Sequence, residues 1–227
     1  MTMSTLHAII DLCAHPTYVA ELRSEVARCL PLPIPPWPAD AIARLKMLDA
    51  FLKESQRFNS PNYRMYFPKP KLEARLCSLS ILTIQTVSFD RLTMTPITLS
   101  TGITIPRGTY ICMPAGSMAM DASFYPSPTD FSPRRFHSTS ETARRSLEFV
   151  DTESGNVHWG SGRFTCPGRW YASAMMKVFL ALVLNKYDVR FPNGQVERMP
   201  NVYMDILVEP NPRQVVLIRR RHEKIGH

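Results

Sequence analysis

The chain has 227 residues, within reach of one large domain or two small ones, and its 44% hydrophobic and 20% charged residues exclude a disordered protein. A formal charge of +8 admits nucleic acid, an anionic membrane or an acidic protein as partner. No basic stretch is interleaved with aromatics, so nucleic acid is not expected, and Arg219-Arg220-Arg221 reads as a solvated tail. Five cysteines, at 13, 29, 77, 112 and 166, are scattered and odd in number, which excludes a readable disulfide framework or paired zinc ligands and suits a reducing compartment. No signal peptide or transmembrane segment is read at Met1.

Leu6 to Leu30 predicts two helical runs broken at His15-Pro16, read as a surface helix pair with His15 as loop punctuation. Pro31 to Pro38 is a proline-rich connector. Ala39 to Phe58 is the clearest amphipathic helix: Ile42, Leu45, Leu48, Phe51 and Leu52 recur at helical spacing, and Glu54 and Arg57 lie three apart on one face. Alone, such a pair is most often exposed and weak. Met65 to Thr86 is apolar without a clear period, nearly continuous from Leu79 to Ile84, and reads as a buried strand.

Thr95 to Pro114 reads as β structure turning at Ser100-Thr101-Gly102 and again at Pro106-Arg107-Gly108. Phe131-Ser132-Pro133-Arg134-Arg135-Phe136 is, as bare sequence, a turn with basic residues, and Ser138 to Val157 is polar and irregular. Past the apolar run from Trp170 to Leu184, strands are expected at Tyr187 to Phe191, Val202 to Val208 and Gln214 to Arg219, with a turn at Pro210 to Pro212.

The stretch that organises the rest is HWGSGRFTCPGRW, His158 to Trp170, feeding that apolar run. Gly160, Gly162 and Gly168 permit positive φ and close approach of a flat ligand to the backbone. A helix beginning near Pro167 or Gly168 aims free N–H groups and partial positive charge at the Cys166 sulfur, and Arg163 and Arg169 add full charge, which favours a thiolate. The run behind it, apolar nearly all round, predicts a buried helix, too short to span a bilayer. Cys166 has three readings: a buried structural cysteine, which leaves the glycines and arginines unexplained; a nucleophile, which needs a positioned base that the sequence does not mark; or a single axial thiolate on haem iron.

Trp159-x-x-Gly162-x-x-x-Cys166-x-Gly168 resembles the haem-binding signature of the cytochrome P-450 superfamily, and Cys166-Pro167-Gly168-Arg169 its fungal form. Trp159 stands where the family usually has Phe, and Phe164 where it usually has a propionate-facing Arg or His, a role Arg163 takes over. Glu54-x-x-Arg57 resembles the family's buried Glu-x-x-Arg pair, and Phe131 to Phe136 its Phe-x-Pro-x-Arg-Phe stretch, which places Arg135 as third member of a structural triad. Met118 to Tyr125 resembles the short helix after the family's hairpin.

The resemblance implies a mainly α fold with small β-sheets (α+β), the C-terminal half of the family's single domain over residues 1–227, with the haem loop at 158–169. It implies haem b on Cys166, bordered by Trp159, Gly162, Arg163, Gly168 and Arg169. The implied activity is insertion of one oxygen atom from O2 into a small hydrophobic organic substrate, of the kind met in secondary metabolism. The implied partners are a NADPH-dependent cytochrome reductase and a cytochrome b-type donor, at the cytoplasmic face of the endoplasmic reticulum membrane for full-length members. No catalytic acid is expected in this chain, because the family carries it on an earlier helix. The alternative expectation is a truncated, non-catalytic fragment with weak or no haem binding. Residues 65–86 interrupt a passage that is direct in the family, and are read as an insertion or an unspliced intron.

Overall fold

A computed structural model describes residues 1–30, 36–60, 64–65, 86–137, 148–152, 158–204 and 207–221. Helix α1 (Thr2–Ala14) stops at His15, because Pro16 has no N–H to continue the ladder; a 3₁₀ turn, Pro16–Tyr18, then leads into α2 (Val19–Cys29). This is not a surface pair. Ala8, Ile10 and Leu12 of α1 and Leu22 and Val26 of α2 are buried, all but Ile10 in one apolar cluster with Leu48, Phe51 and Leu180.

The single helix expected over 39–58 is two, α3 (Ala39–Ala43) and α4 (Lys46–Phe58). The break has a side-chain cause. The buried Glu25 carboxylate on α2 accepts from the Met47 and Leu48 backbone N–H groups at 2.7 and 2.9 Å, replacing the carbonyls that a continuous helix would offer. Leu45 accordingly leaves helical geometry at ψ 72°.

Helix α6 (Arg169–Lys186) corrects a second expectation, being apolar in sequence but only half-covered. Met176, Leu180 and Leu184, four apart, face the core, whereas Trp170 and Tyr171 are 56% and 68% exposed. Lys177 is buried through an ion pair with Asp49 of α4. Among the described residues no helix is long and apolar enough to cross a membrane.

After α6, β6 (Tyr187–Arg190) pairs antiparallel with β9 (Leu217–Arg220), Tyr187 opposite Arg220. The strand expected over 202–208 is instead two paired strands, β7 (Val202–Met204) and β8 (Leu207–Glu209).

The chain forms two compact units. The helical one, Met1–Pro61, Asp130–Val202 and Glu209–His227, carries the elements above apart from most of β7 and β8. The smaller one, Asn62–Thr129 and Tyr203–Val208, contains a sheet of β1 (Arg64–Met65), β2 (Thr86–Leu92) and β5 (Tyr110–Met113), and a hairpin of β3 (Ile97–Thr98) and β4 (Thr104–Ile105). Its helix α5 (Ala115–Ala119) starts directly after Pro114, earlier than the expected 118–125. It cannot run on, because the Asp121 carboxylate accepts from Ser123 N–H at 2.7 Å in a local turn that competes with the helix. Residues 66–85, read above as an insertion, lie outside the described residues, as do 31–35 of the connector and most of 138–157.

A buried polar network closes the helical unit. Asp11 of α1 accepts from Ser55 Oγ at 2.6 Å, from Asn59 Nδ2 at 3.0 Å and from Arg198, whose other nitrogen lies 3.0 Å from His7 Nδ1 and donates to Asn201 Oδ1 at 2.7 Å. Burial pushes the Asp11 carboxyl above its ordinary pKa, and Arg198 opposes that shift. Arg198→Met, which leaves a buried carboxylate without its cation, is expected to cost about 3–5 kcal/mol in urea denaturation. Arg134→Ala, which removes an exposed pair with Glu21, is expected to cost less than about 1 kcal/mol.

Candidate functional site

The loop before α6 is held by its own backbone. Cys166 N–H donates to the Trp159 carbonyl at 2.6 Å, Thr165 N–H to Gly162 at 3.1 Å, and Phe164 N–H to Ser161 at 3.2 Å. Trp159 is fixed in turn: its indole Nε1–H donates to the Phe149 carbonyl at 2.6 Å and its ring meets Phe149 edge-on, at 5.3 Å. Gly160 is required by geometry. At φ +85° a Cβ there would stand 2.6 Å from the Phe164 carbonyl oxygen.

Gly168 departs from the expected positive φ. It sits at −84° as the N-cap of α6, where an added Cβ would rest 4.0 Å from the Cys166 sulfur, so glycine leaves that flank of the thiol uncovered. Gly162 does take positive φ, at +57°, with open space around its absent Cβ.

Cys166 is half-buried, three residues before the first residue of α6 and therefore at the end where backbone N–H groups lack helical partners. Arg169 Nη1 donates to the Cys166 carbonyl at 3.0 Å and its guanidinium lies over the Trp170 ring. Arg163 is exposed, 4.7 Å over the Phe164 ring. The structure thus gathers Trp159, Gly162, Arg163, Cys166, Gly168 and Arg169 into one loop-to-helix junction. Among the described residues no three or more His, Cys, Asp or Glu side chains converge on a metal position. A lone sulfur flanked by glycines and guanidiniums fits a flat anionic cofactor that brings its own metal and most of its donors.

Elsewhere in the helical unit, the Glu54 carboxylate is fully buried. Arg57 Nε and Nη2 reach it at 2.8 and 2.9 Å, Arg135 Nε at 3.2 Å, and the Ser132 backbone N–H at 2.7 Å. Both arginines also donate to the Asp130 carbonyl, Arg135 at 2.9 Å and Arg57 at 3.3 Å. Glu54, Arg57 and Arg135 are therefore in contact.

Two histidines carry more than the sequence marked. His15, read as punctuation, stacks on Phe131 with ring centroids 4.0 Å apart, and burial lowers its pKa. His158, at the head of the loop, is buried, and desolvation together with the Lys53 and Arg57 charges lowers its pKa to about 3. Neither had a spacing signal, since their neighbours come from distant segments.

Residues 82–217 match the family model for cytochrome P450. The chain belongs to the cytochrome P450 family. It is 34% identical over 225 residues to an ent-kaurene oxidase of Gibberella intermedia, covering 96% of this chain and 38% of that protein. The cytochrome P450 monooxygenase penP of Penicillium crustosum is 34% identical over 222 residues, covering 96% and 37%. The chain thus spans less than two-fifths of these relatives' length. The fold is similar to the heme domain of cytochrome P450DA, with TM-score 0.71 at 18% identity over 97% of this chain and 41% of that one. It is also similar to a zebra fish cytochrome P450 solved with abiraterone, with TM-score 0.70 at 19% identity over 97% and 44%.

Glu54→Ala strands two guanidiniums among buried groups and is expected to cost about 3–5 kcal/mol in chemical denaturation. His158 gives a pH signature. Its folded pKa, near 3, lies below the ordinary 6.5, so its neutral form is favoured in the fold, and stability is full above pH 6.5 and falls as pH drops toward 3. The expected slope is about 1.4 kcal/mol per pH unit, and a His158→Asn variant should flatten that limb of the stability–pH curve.

Proposed function

We propose that this cytochrome P450 chain carries the cofactor-holding part of a haem-thiolate monooxygenase, with Cys166 as the axial ligand of haem b. The observation that carries the reading is the half-buried Cys166 sulfur at the start of α6, with Gly168 leaving its flank uncovered. In this reading Gly162 and Gly168 keep space for the macrocycle. Arg163 offers its exposed guanidinium to a propionate. Arg169 fixes the Cys166 turn through its carbonyl and adds positive charge beside the thiolate. Trp159 braces the loop by accepting the Cys166 N–H and anchoring to Phe149. Glu54, Arg57 and Arg135 hold the scaffold and stay outside the chemistry.

When bound, haem supplies the activation of O2 that inserts one oxygen atom into a substrate C–H bond, the second oxygen leaving as water, with two electrons from a NADPH-dependent reductase or a cytochrome b-type donor. The chain's own part is to present the sulfur and to fix its direction. A small hydrophobic substrate from secondary metabolism is supported by the relatives, whose names include an ent-kaurene oxidase. We read residues 1–227 as part of one such domain and 65–86 as an insertion in it or an unspliced intron; a mature transcript that lacks the codons for 65–86 is the result expected of the intron, and one that keeps them refutes it.

The test is a reduced carbon monoxide difference spectrum of the chain loaded with haem, beside Cys166→Ala. The expected result is the red-shifted Soret band of a thiolate-bound haem, absent from the variant. A band that survives in Cys166→Ala, or no band in the unaltered chain, overturns the assignment.

A further inference from the structure

One buried carboxylate addresses both segments that meet at Cys166. Asp49, in the first turn of α4 and 5% exposed, accepts from Phe149 N–H through Oδ2 at 2.7 Å and pairs through Oδ1 with Lys177 of α6. Phe149 is fully buried, and its carbonyl accepts from the Trp159 indole at 2.6 Å, while the Trp159 carbonyl accepts from Cys166 N–H at 2.6 Å. Lys177 lies about two turns into the helix that Cys166 precedes.

The hydrogen bonds inside the loop cannot supply its placement. Those from Cys166, Thr165 and Phe164 N–H end on Trp159, Gly162 and Ser161, so they fix the shape of 159–166 and leave its position to ties that reach beyond the loop. The indole bond to Phe149 is such a tie, and it is only as firm as the Phe149 backbone that receives it. Lys46 and Glu148 also hold that backbone, at 2.7 Å, but their side chains are 34% and 33% exposed, where water and salt weaken the pair. The Asp49 contacts are shielded from both. On the other side, Lys177 keeps the buried carboxylate paired, whereas α6 is seated independently by Met176, Leu180 and Leu184. The loop side is therefore where Asp49 has no substitute.

We propose that Asp49 is a positioning residue for the Cys166 sulfur and acts on it through the Phe149 backbone and the Trp159 indole. The hydrogen bond to Phe149 N–H, and not the charge, is the active element: a neutral acceptor at position 49 holds the loop, and an apolar side chain of similar size releases it. The functional meaning rests on the reading of Cys166 as the axial ligand, but the placement of the sulfur is measurable without haem.

Two neutral pairs separate this role from a general loss of stability. D49N/K177M removes both charges and keeps an oxygen for Phe149 N–H, D49L/K177M removes that oxygen as well, and W159F keeps an aromatic ring but removes the indole donor. In the haem-free full chain, alkylation by iodoacetamide is followed residue by residue by mass spectrometry, with the buried Cys13 and Cys29 reporting global unfolding. Cys166 is expected to react about fivefold or more faster in D49L/K177M and in W159F, with Cys13 and Cys29 unchanged. D49N/K177M should match the unaltered chain, and adding W159F to D49L/K177M should give no further rise, because both act along one path. With haem, the reduced carbon monoxide band of D49L/K177M should move in part to the position of haem without thiolate, and D49N/K177M should keep the unaltered spectrum. A rise shared by Cys13 and Cys29, equal Cys166 rates in all variants, or effects of W159F and D49L/K177M that add in full overturn the proposal. An unaltered chain with no thiolate band overturns the axial-ligand assignment alone, and the alkylation rates then decide the positioning role by themselves.

Discussion

A carboxylate with no access to water is the constraint around which the helical unit is arranged. Glu54 would be strongly disfavoured as a lone buried charge, so the fold must bring it cations and hydrogen-bond donors. Arg57, one helical turn away, supplies a bidentate fork. The other donors, Arg135 and the Ser132 N–H, come from a segment far along the chain. Because both guanidiniums also bond the Asp130 carbonyl, the turn from Asp130 to Phe136 is fixed in register with α4. Phe131 then closes an aromatic group with Phe51, Phe58, Tyr18 and the His15 ring.

The same helix distributes charge pairing in other directions. Its N-terminus is capped by Glu25 of α2, Ser55 and Asn59 near its C-terminus bond Asp11 of α1, and Asp49 pairs with Lys177 of α6 and accepts from Phe149 N–H at 2.7 Å. That last arrangement matters for the loop. Phe149 supplies the carbonyl and the ring that anchor Trp159, Trp159 accepts the Cys166 N–H, and Lys177 ties down the helix that Cys166 precedes. A chain of buried polar contacts therefore runs from α4 to both flanks of Cys166. Such contacts are directional, so they fix orientation where apolar packing alone would tolerate sliding.

How much of this could be read from the residues depends on the range of the interaction. The break at His15-Pro16 and the turns at Gly102 and Gly108 are local consequences of proline and glycine, and they stand where expected. Glu54 and Arg57 are adjacent in a helix, so their pairing is written in their spacing, but their burial is not. The division of 39–58 into two helices was invisible because its cause, Glu25, lies on another element. Uniform apolarity made α6 look enclosed, although composition does not say which face is covered; Trp170 and Tyr171 stay exposed. In the Cys166 loop the glycine pattern was legible, but the three glycines serve three needs: a steric one at Gly160, a positive φ at Gly162, and an uncovered sulfur at Gly168.

The cysteines show why environment and not residue type decides where soft-ligand chemistry is possible. Cys13 is buried, and desolvation with the nearby Asp11 charge pushes its thiol up to about 12, which leaves it protonated and inert. Cys29 spends its thiol on the Arg44 carbonyl at the junction of α3 and α4. Cys112 is exposed in strand β5, three residues before α5, but no arginine or glycine lies within three residues of it on either side. Cys166 alone among the described cysteines combines partial access, a helix start, neighbouring glycine and two guanidiniums within three residues on either side. A thiolate needs positive potential to persist and an open flank to bind, and the other three sites each lack at least one of these. Of the described cysteines, Cys166 is therefore the one whose surroundings meet the conditions that the proposed axial-ligand role sets.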